Sequence, residues 1–599
     1  MRHPDHGRAY AVRMLFCIIS VWFAAITVPA LAGAGEAAAA PHDSVAGPTE
    51  QLNIFGKIVN PHGAGVEDAE ITVFLNGKEL KNPHTEHGYG GKGIYTSLDG
   101  SFQTVFTIPR GAADREAAIK LEVYKSSYAR EKIEISSRNI ARGPAGIVAK
   151  ADLQIKRIAG PAFWIATVVF ILAYVLISFE LLHRTLAAML GASFMLVVSY
   201  TIGTIDPDYH ILSYKSAIHA IDMNVIFLLM GMMIIVGILK HTGVFQWCAY
   251  KCYQLARGNV VILALILMSF TAVASAFLDN VTTMLLLTPV SIEIALSLGI
   301  SPLALLIPEI MASNIGGTAT LIGDPPNIMI GSYAALTFMD FVKELAPVCV
   351  ASMVVLFGYT KLVYGRDYAK TQVKDIQVFI DQLREEYQIT DSTLLTVGLI
   401  VMAMVVSMFL THGYWHMEVC ISALFGAAVL FTYGLLTKKV DLLELIEKDI
   451  EWSTLLFFMF LFILVGAVNE AGLLDIVADW VLRLSNDNLN TSICLILWVS
   501  AIMSAFVDNI PFTATMLPIV GYLTQVIPGA ESGVLWWALA FGACFGGNGT
   551  MIGASANVVT LGIAESAGHP IKFFGFMKVA FPFMLISVAI ANVWLLIIY

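Results

Sequence analysis

From Pro161 onward the chain is a series of apolar stretches, each about 20 residues long, the length that carries a helix across about 30 Å of hydrocarbon. The pattern predicts spans over 162–179, 185–203, 222–240, 343–363, 392–410, 417–436, 453–470 and 573–598. Four segments do not fit simple crossings. Residues 259–298 and 488–527 are apolar, but Asp-Asn and then Pro interrupt them near their centres. Each is too short for two full crossings with a loop and is expected to form a re-entrant hairpin. Residues 303–338 and 533–567 exceed one crossing and carry Gly-Gly-x-x-Thr followed by Gly-x-x-x-Asn. Glycine weakens helix and Pro325-Pro326 breaks its ladder, so these helices are expected to unwind near the midplane. Lipid tolerates such backbone only where it lines a protein-buried or watery cavity.

Residues 51–156 have another period. Ala69, Ile71, Val73 and Leu75 alternate with polar residues before Asn76-Gly77, and Phe102, Thr104, Phe106 and Ile108 alternate after Asp99-Gly100. Period-two patterning between such turns predicts antiparallel strands and a small β-sandwich. Upstream, Arg2, Arg8 and Arg13 precede an apolar run from Met14 to Pro29 and then Ala30-Leu31-Ala32, which reads as a secretory signal over 1–32. Residues 33–50, rich in Ala, Gly and Pro, read as a linker. Composition agrees with a membrane protein. Of 599 residues, 57% are hydrophobic and 13% charged, against roughly 25% charged in soluble domains, which excludes disorder, a coiled coil and a typical cytosolic enzyme.

The signal places the β domain outside an inner membrane. The first span then ends inside at His183 and Arg184, and the third at Lys240, Lys251 and Arg257. Lys361, Arg366, Lys370 and Lys374 mark a cytosolic loop over 365–391, and Lys438 and Lys439 agree. An internal repeat is the strongest feature. Ser275-Ala276-Phe277-Leu278-Asp279-Asn280 returns as Ser504-Ala505-Phe506-Val507-Asp508-Asn509, an offset of 229 that Pro289 and Pro518 keep. Gly316-Gly317-Thr318-Ala319-Thr320-Leu321-Ile322-Gly323 returns as Gly546-Gly547-Asn548-Gly549-Thr550-Met551-Ile552-Gly553 at 230, as do Asn327 and Asn557. Span 222–240 runs inward and its counterpart 453–470 outward. The prediction is therefore an all-α membrane domain of two inverted repeats, 161–364 and 392–599, each with five spans and one hairpin. Inverted repeats are a mark of secondary transporters.

These motifs resemble the ion transporter superfamily, which includes dicarboxylate/sodium symporters, citrate transporters, arsenite pumps and sodium/proton antiporters. Ser275–Thr283, Asn314–Asn327 and Gly546–Asn557 are most similar to the branch of permeases related to the melanosomal albinism protein. The resemblance covers about 161–599 and implies a scaffold plus a mobile transport unit working as an elevator, usually as a homodimer. The run Gly56-Lys57-Ile58 to Ser101-Phe102 in the β domain resembles the carboxypeptidase-regulatory or transthyretin-like sandwich. There is one departure. Dicarboxylate symporters carry Ser-Asn-Thr at each hairpin tip; here Asn280 and Asn509 keep the Asn, while Asp279 and Asp508 replace Ser, and Val281 and Ile510 replace Thr. Two hydroxyls are lost and a carboxylate is gained in each repeat.

Intramembrane carboxylates are costly and default to function, so Asp279 and Asp508 are candidates for proton or sodium binding. The alternative is that they cap the second arm of each hairpin. One ion is expected around Asp279, Asn280 and Gly316, a second around Asp508, Asn509 and Gly546, with Na⁺ placed near Asn280 and Asn509 and the solute between the tips. Thr283, Gly317, Thr320, Asp324, Asn327, Thr513, Gly547, Asn548, Thr550 and Asn557 complete the expected site. Asp324 has Ala554 as its mate and could be a turn residue; Glu309 stands opposite Leu539. The glycines could serve close helix packing, and the threonines could bond their own backbone. Cys248 and Cys252 share a helix face without a second ligand pair for a metal, and the charges of the β domain give no hint of nucleic acid. No phosphate loop or catalytic spacing appears in the sequence, so the expectation is a non-enzymatic permease driven by Na⁺ or H⁺. Its cargo would be a small inorganic ion or organic anion. Sodium/proton exchange is the second reading, and a channel-like or sensory protein with a ligand-binding outer domain is the third.

Overall fold

The computed structural model describes residues 49–599 apart from 61–62, 64, 67–68, 81–93, 98, 110–117, 126, 144–145, 180, 370–382 and 386. The signal and nearly all of the linker lie outside the described residues, as does half of the expected cytosolic loop.

Among the described residues, the alternating segment forms ten strands in two five-stranded sheets. One sheet holds β1 (Thr49–Val59), β5 (Ser101–Pro109), β8 (Ile140–Gly143), β9 (Gly146–Lys150) and β10 (Leu153–Gln154). The other holds β2 (Glu70–Leu75), β3 (Lys78–Glu79), β4 (Ile94–Tyr95), β6 (Ile119–Tyr124) and β7 (Glu131–Glu134). Ile71, Val73, Phe102, Phe106 and Ile108 are all buried, as alternation requires. Asn76 and Gly77 both take positive φ, the two-residue turn that joins β2 to β3. Pairing is not wholly antiparallel: β1 runs parallel to both β9 and β10. Inward-outward alternation is the same in either direction, so the sequence pattern could not reveal this.

Arg157 fixes this domain to the helices. Its Nε lies 2.6 Å from Asp475 Oδ2, Nη1 donates to the Glu470 carbonyl at 2.6 Å, and the guanidinium sits 4.6 Å from the Tyr128 ring centre. Lys125 also pairs with Glu470 at 3.1 Å. Replacing Arg157 by Ala is expected to raise hydrogen exchange over 473–485 by about tenfold, the equivalent of about 1.4 kcal/mol. Exchange deeper in the helical core should not change; equal protection in both proteins would show that the contact does not hold the domain.

Among the described residues, eighteen helices of ten residues or more make up the apolar part of the chain. The first set is α1 (Pro161–Ser178), α2 (Arg184–Tyr200), α3 (Met223–Lys240), α4 (Val244–Ala256), α5 (Val260–Phe277), α6 (Asn280–Ser297), α7 (Leu303–Thr318), α8 (Pro325–Ala334) and α9 (Phe338–Tyr368). The second set is α10 (Ser392–Trp415), α11 (Val419–Leu436), α12 (Trp452–Ala471), α13 (Leu473–Ser485), α14 (Leu489–Phe506), α15 (Asn509–Val526), α16 (Val534–Gly546), α17 (Ser555–Ser566) and α18 (Phe573–Ile598). Of the helices among the described residues, eleven are long and apolar enough to cross a membrane. Polar side chains start many of them. Asp222, Asn259, Asp391 and Asn488 accept from the first free N–H groups of α3, α5, α10 and α14, which apolar surroundings would otherwise leave unpaired.

The arms of the first expected hairpin, and the first arm of the second, are longer than the length argument allows. α5 and α6 have 18 residues each, about 27 Å at 1.5 Å per residue, and both are long and apolar enough to span; so is α14. The chain reverses between α5 and α6 with only Leu278 and Asp279 outside helix, and between α14 and α15 with Val507 and Asp508. Tight reversal, not short arms, makes each segment a helical pair. The long helices do break where glycine and proline fall: α7 stops at Thr318 and α8 starts at Pro325, while α16 stops at Gly546 and α17 starts at Ser555.

Within each group the main packing pairs have counterparts nine helices on. α5 packs on α7 and α14 on α16; α3 on α11 and α12 on α2; α6 on α17 and α15 on α8. The helices thereby sort into one group of α1–α3 and α10–α12 and another of α5–α8 and α14–α17, the latter flanked by α9 and α18. Between the groups the symmetry fails. α12 packs against α15, whereas the matching pair α3 and α6 makes no comparable contact.

Candidate functional site

The two reversals and the two breaks meet in one buried place. Asp279 precedes α6 and its carboxylate accepts from Val281 N at 2.9 Å and Thr282 N at 3.0 Å. Asp508 stands at the same position before α15 and accepts from Ile510 N at 3.1 Å. Both therefore cap a helix, which satisfies N–H groups without neutralising the charge. Beyond the cap their settings differ. Asp508 Oδ2 also accepts from Ser555 Oγ at 3.0 Å and lies 3.4 Å from Arg184 Nη1, while no basic side chain pairs with Asp279 among the described residues.

Asp324 is a third carboxylate. It precedes α8 but caps nothing; both its oxygens accept from Asn509 Nδ2 instead, at 3.3 and 3.4 Å, so the first repeat's break holds the second repeat's tip. Only 1% of Asp324 is exposed, and Asp279 and Asp508 both lie within electrostatic reach of it. Among the described residues, these three carboxylates thus share one fixed cation, Arg184. An unpaired ion removed from water costs several kcal/mol, and of the three Asp324 is the one that burial isolates most.

Amide side chains join the repeats around it. Asn280 donates to Asn314 Oδ1 at 3.3 Å, and Asn314 Nδ2 donates to Asn548 at 3.0 Å and Asn557 at 3.1 Å. Cys544, the residue matching Asn314, reaches Asn327 Oδ1 at 3.6 Å. Asn327 Nδ2 in turn donates to the carbonyls of Thr318 and Thr320, and Asn557 Nδ2 to those of Gly547 and Thr550. Carbonyls freed by the breaks are met by these two amides. Of the expected site residues, two carry a buried polar atom without a partner: Asn548 Nδ2 and Thr283 Oγ1. A buried donor left unmade costs about 1–3 kcal/mol, which an acceptor atom on a bound solute would recover.

Other expected site residues do structural work. Thr320 Oγ1 donates to the Ala276 carbonyl at 2.5 Å, and Thr550 bonds the matching Ala505, tying each break to the first arm of its helical pair. Thr513 donates back to Asn509 O at 2.7 Å. Gly316 and Gly546 lie in the seams against α5 and α14: a Cβ would meet Ala272 O at 2.1 Å and Ala501 O at 2.5 Å. Gly317 and Gly547 sit beside the carbonyls of Gly323 and Gly553 across each break. Glu309 is buried in α7, where Ser291 Oγ approaches both of its oxygens at 3.0 and 2.9 Å. Sequence reasoning missed Arg184, Asn314 and Ser555. Asn314 lies inside the quoted motif, yet its repeat mate is Cys544, so a search for matching pairs passes over it.

The family model described as citrate transporter (CitMHS) matches residues 174–542. The chain belongs to the citrate transporter family. An uncharacterized transporter of Mycobacterium bovis is 40% identical over 433 residues, 72% of this chain and 97% of that one. The human P protein is 34% identical over 570 residues, covering 82% of this chain and 66% of that protein. A crystal structure of the YdaH transporter from Alcanivorax borkumensis aligns over 69% of this chain and 98% of that one, at 14% identity and a TM-score of 0.48. This citrate transporter family member is a multi-pass membrane transporter, and the expected superfamily and its P protein branch are borne out.

Proposed function

We propose that the protein is a secondary active transporter in which Na⁺ or H⁺ drives a small anion across the membrane. One observation carries this reading: a buried carboxylate, Asp324, flanked by the half-buried Asp279 and Asp508, with Arg184 the one fixed cation paired to them among the described residues, at the point where two helix reversals and two helix breaks meet. A cluster with that deficit of positive charge admits an anion only after a cation or proton has bound. That order of binding is coupling. The unpaired Asn548 Nδ2 favours a solute with acceptor oxygens over plain sodium/proton exchange.

In this reading the helices α5–α8 and α14–α17 form the moving unit and α1–α3 and α10–α12 the scaffold. The two inverted repeats, 161–364 and 392–599, give the unit two positions of similar energy, and the unequal contacts at α12–α15 and α3–α6 fit one of them. With the β domain outside, the α14–α15 tip lies beside the inner ends of α2 and α12, so the site opens toward the cytosol.

Proteoliposomes with an enclosed pH-sensitive dye, imposed sodium gradients and labelled citrate, other carboxylates, arsenite and chloride test the reading. Solute uptake that ignores both gradients would sink it. Asp279→Asn should uncouple uptake from the gradient and leave the fold intact, because Asn caps a helix as well as Asp does. Coupled uptake that survives this change would leave Asp279 with the cap alone.

A further inference from the structure

Arg184 is the first residue of α2, where a basic residue reads as an ordinary flank of a membrane span. Its side chain does something else. Nη1 lies 3.4 Å from Asp508 Oδ2 and donates to Ser555 Oγ at 2.5 Å; Nη2 donates to Thr454 Oγ1 at 3.2 Å; and the guanidinium lies 5.2 Å from the Phe457 ring centre. Thr454 and Phe457 belong to α12, in the same packing group as α2. Asp508 and Ser555 belong to the other group. Arg184 is therefore braced on one unit and pairs with the carboxylate of the other. Tyr174 of α1 bridges the same boundary, bonding the Pro511 carbonyl and Thr515 Oγ1.

The second repeat has no equivalent of Arg184. The stretch before α11 reads His412-Gly413-Tyr414-Trp415-His416-Met417-Glu418, without Arg or Lys. The two tip carboxylates, matched by the repeat, are thus unmatched in charge: Asp279 depends on a mobile ion, and Asp508 has a tethered one.

We propose that Arg184 is the positioning residue of the coupling step: it stands in for the cation at Asp508 in this conformation, and a cation or proton arriving there displaces it and frees the moving unit. The proposal rests on the transport reading above, because it needs the two groups to move apart. Since α2 and α15 lie on different units, the ion pair exists at one end of the motion only. With the guanidinium in place Asp508 itself is paired, and Arg184 opposes a second positive charge at that carboxylate. Once the cation has bound, Arg184 loses its partner there and the tip is released. The other groups facing Asp508 are Tyr174 from α1, Ser555 from α17 and Asp324 from the break before α8; Glu451, before α12, shares Thr454 with Arg184 and lies within electrostatic reach of Arg184 and Asp279.

The test reads position rather than transport. Cysteines replace Tyr174 and Thr515 in the full chain, in lipid vesicles, and a short bis-maleimide joins them. Cross-linked peptide is quantified by mass spectrometry, with native Arg184, with Arg184→Gln and with Arg184→Lys. With Arg184, saturating sodium, or acidification in sodium-free buffer, should lower cross-linking at least about fivefold, the lower end of coupling between linked sites. With Arg184→Gln, cross-linking should already be at least about fivefold lower without sodium and should change little when sodium is added. Arg184→Lys should restore the native response in part. An unchanged sodium and pH response in Arg184→Gln overturns the proposal and leaves the transport reading standing. No response to either ion in any of the three proteins overturns both.

Discussion

Asp324→Asn is expected to abolish coupled uptake while the protein folds and inserts normally. The substitution keeps the size of the side chain and one carbonyl oxygen for Asn509 Nδ2, which lies 3.3 Å from Oδ1. What it removes is the charge. Asp324 differs from the tip carboxylates in making no cap, so no backbone N–H of α8 loses its acceptor. It also has no counterpart, since Ala554 holds the matching position; the site therefore has one central carboxylate rather than a symmetric pair. With Asp279 and Asp508 both in reach, this is where a mobile cation meets the most negative charge. Breaking a buried charge pair costs about 3–5 kcal/mol, and 2.7 kcal/mol of lost coupling already gives about a hundredfold. Ion-driven uptake in proteoliposomes should fall by at least about that factor, with an unchanged elution profile in detergent. Uptake within about threefold of the parent protein would place the coupling ion elsewhere, with Glu309 the next carboxylate to test.

Much of this arrangement is legible in the sequence, because the repeat marks it. An offset of 229 picks out Asp279 with Asp508 and Asn280 with Asn509, and 230 picks out the glycine breaks with Asn327 and Asn557. Those are the residues whose backbone role is the same in both halves. Where the halves differ in chemistry the repeat is silent. Asn314 bridges to Asn548 and Asn557, but its mate is a cysteine. Arg184 has no mate at all, and a cation at the end of an apolar run is what any membrane flank looks like. The hairpins show a different limit. Their reversal is visible in Asp-Asn, yet their arms are longer than the pattern suggests, because a two-residue connection leaves room for two helices of 18 residues within 38. The parallel neighbours of β1 are hidden for a simpler reason: period two records burial and not direction.

Gly316→Val should do more damage than any charge change at the site, and to the fold rather than to coupling. A Cβ at Gly316 would lie 2.1 Å from the Ala272 carbonyl oxygen and 2.5 Å from its Cα. Those atoms are backbone, so no rotamer change relieves the overlap; α5 and α7 must separate along the seam. Ser313 Oγ, 3.2 Å from Ser275 Oγ, and Thr320, bonded to Ala276 O, would lose their geometry together. Overpacking a well-filled interior costs about 1–3 kcal/mol where side chains can shift, and a backbone obstruction exceeds that range. The expected result is loss of the monodisperse peak in detergent, or a thermal midpoint lower by about 10 °C or more, since about 1 kcal/mol shifts even large domains by about 2–4 °C. Gly358→Ala and Gly562→Ala are the controls, because a Cβ at either meets nothing within 4 Å. Both should unfold with the parent protein. Gly546→Val is expected to behave like Gly316→Val, with its Cβ 2.5 Å from Ala501 O in the matching seam between α14 and α16. If Gly316→Val instead folds with the parent's midpoint but loses uptake, the glycine serves the ion path, and close packing of α5 on α7 is not its reason.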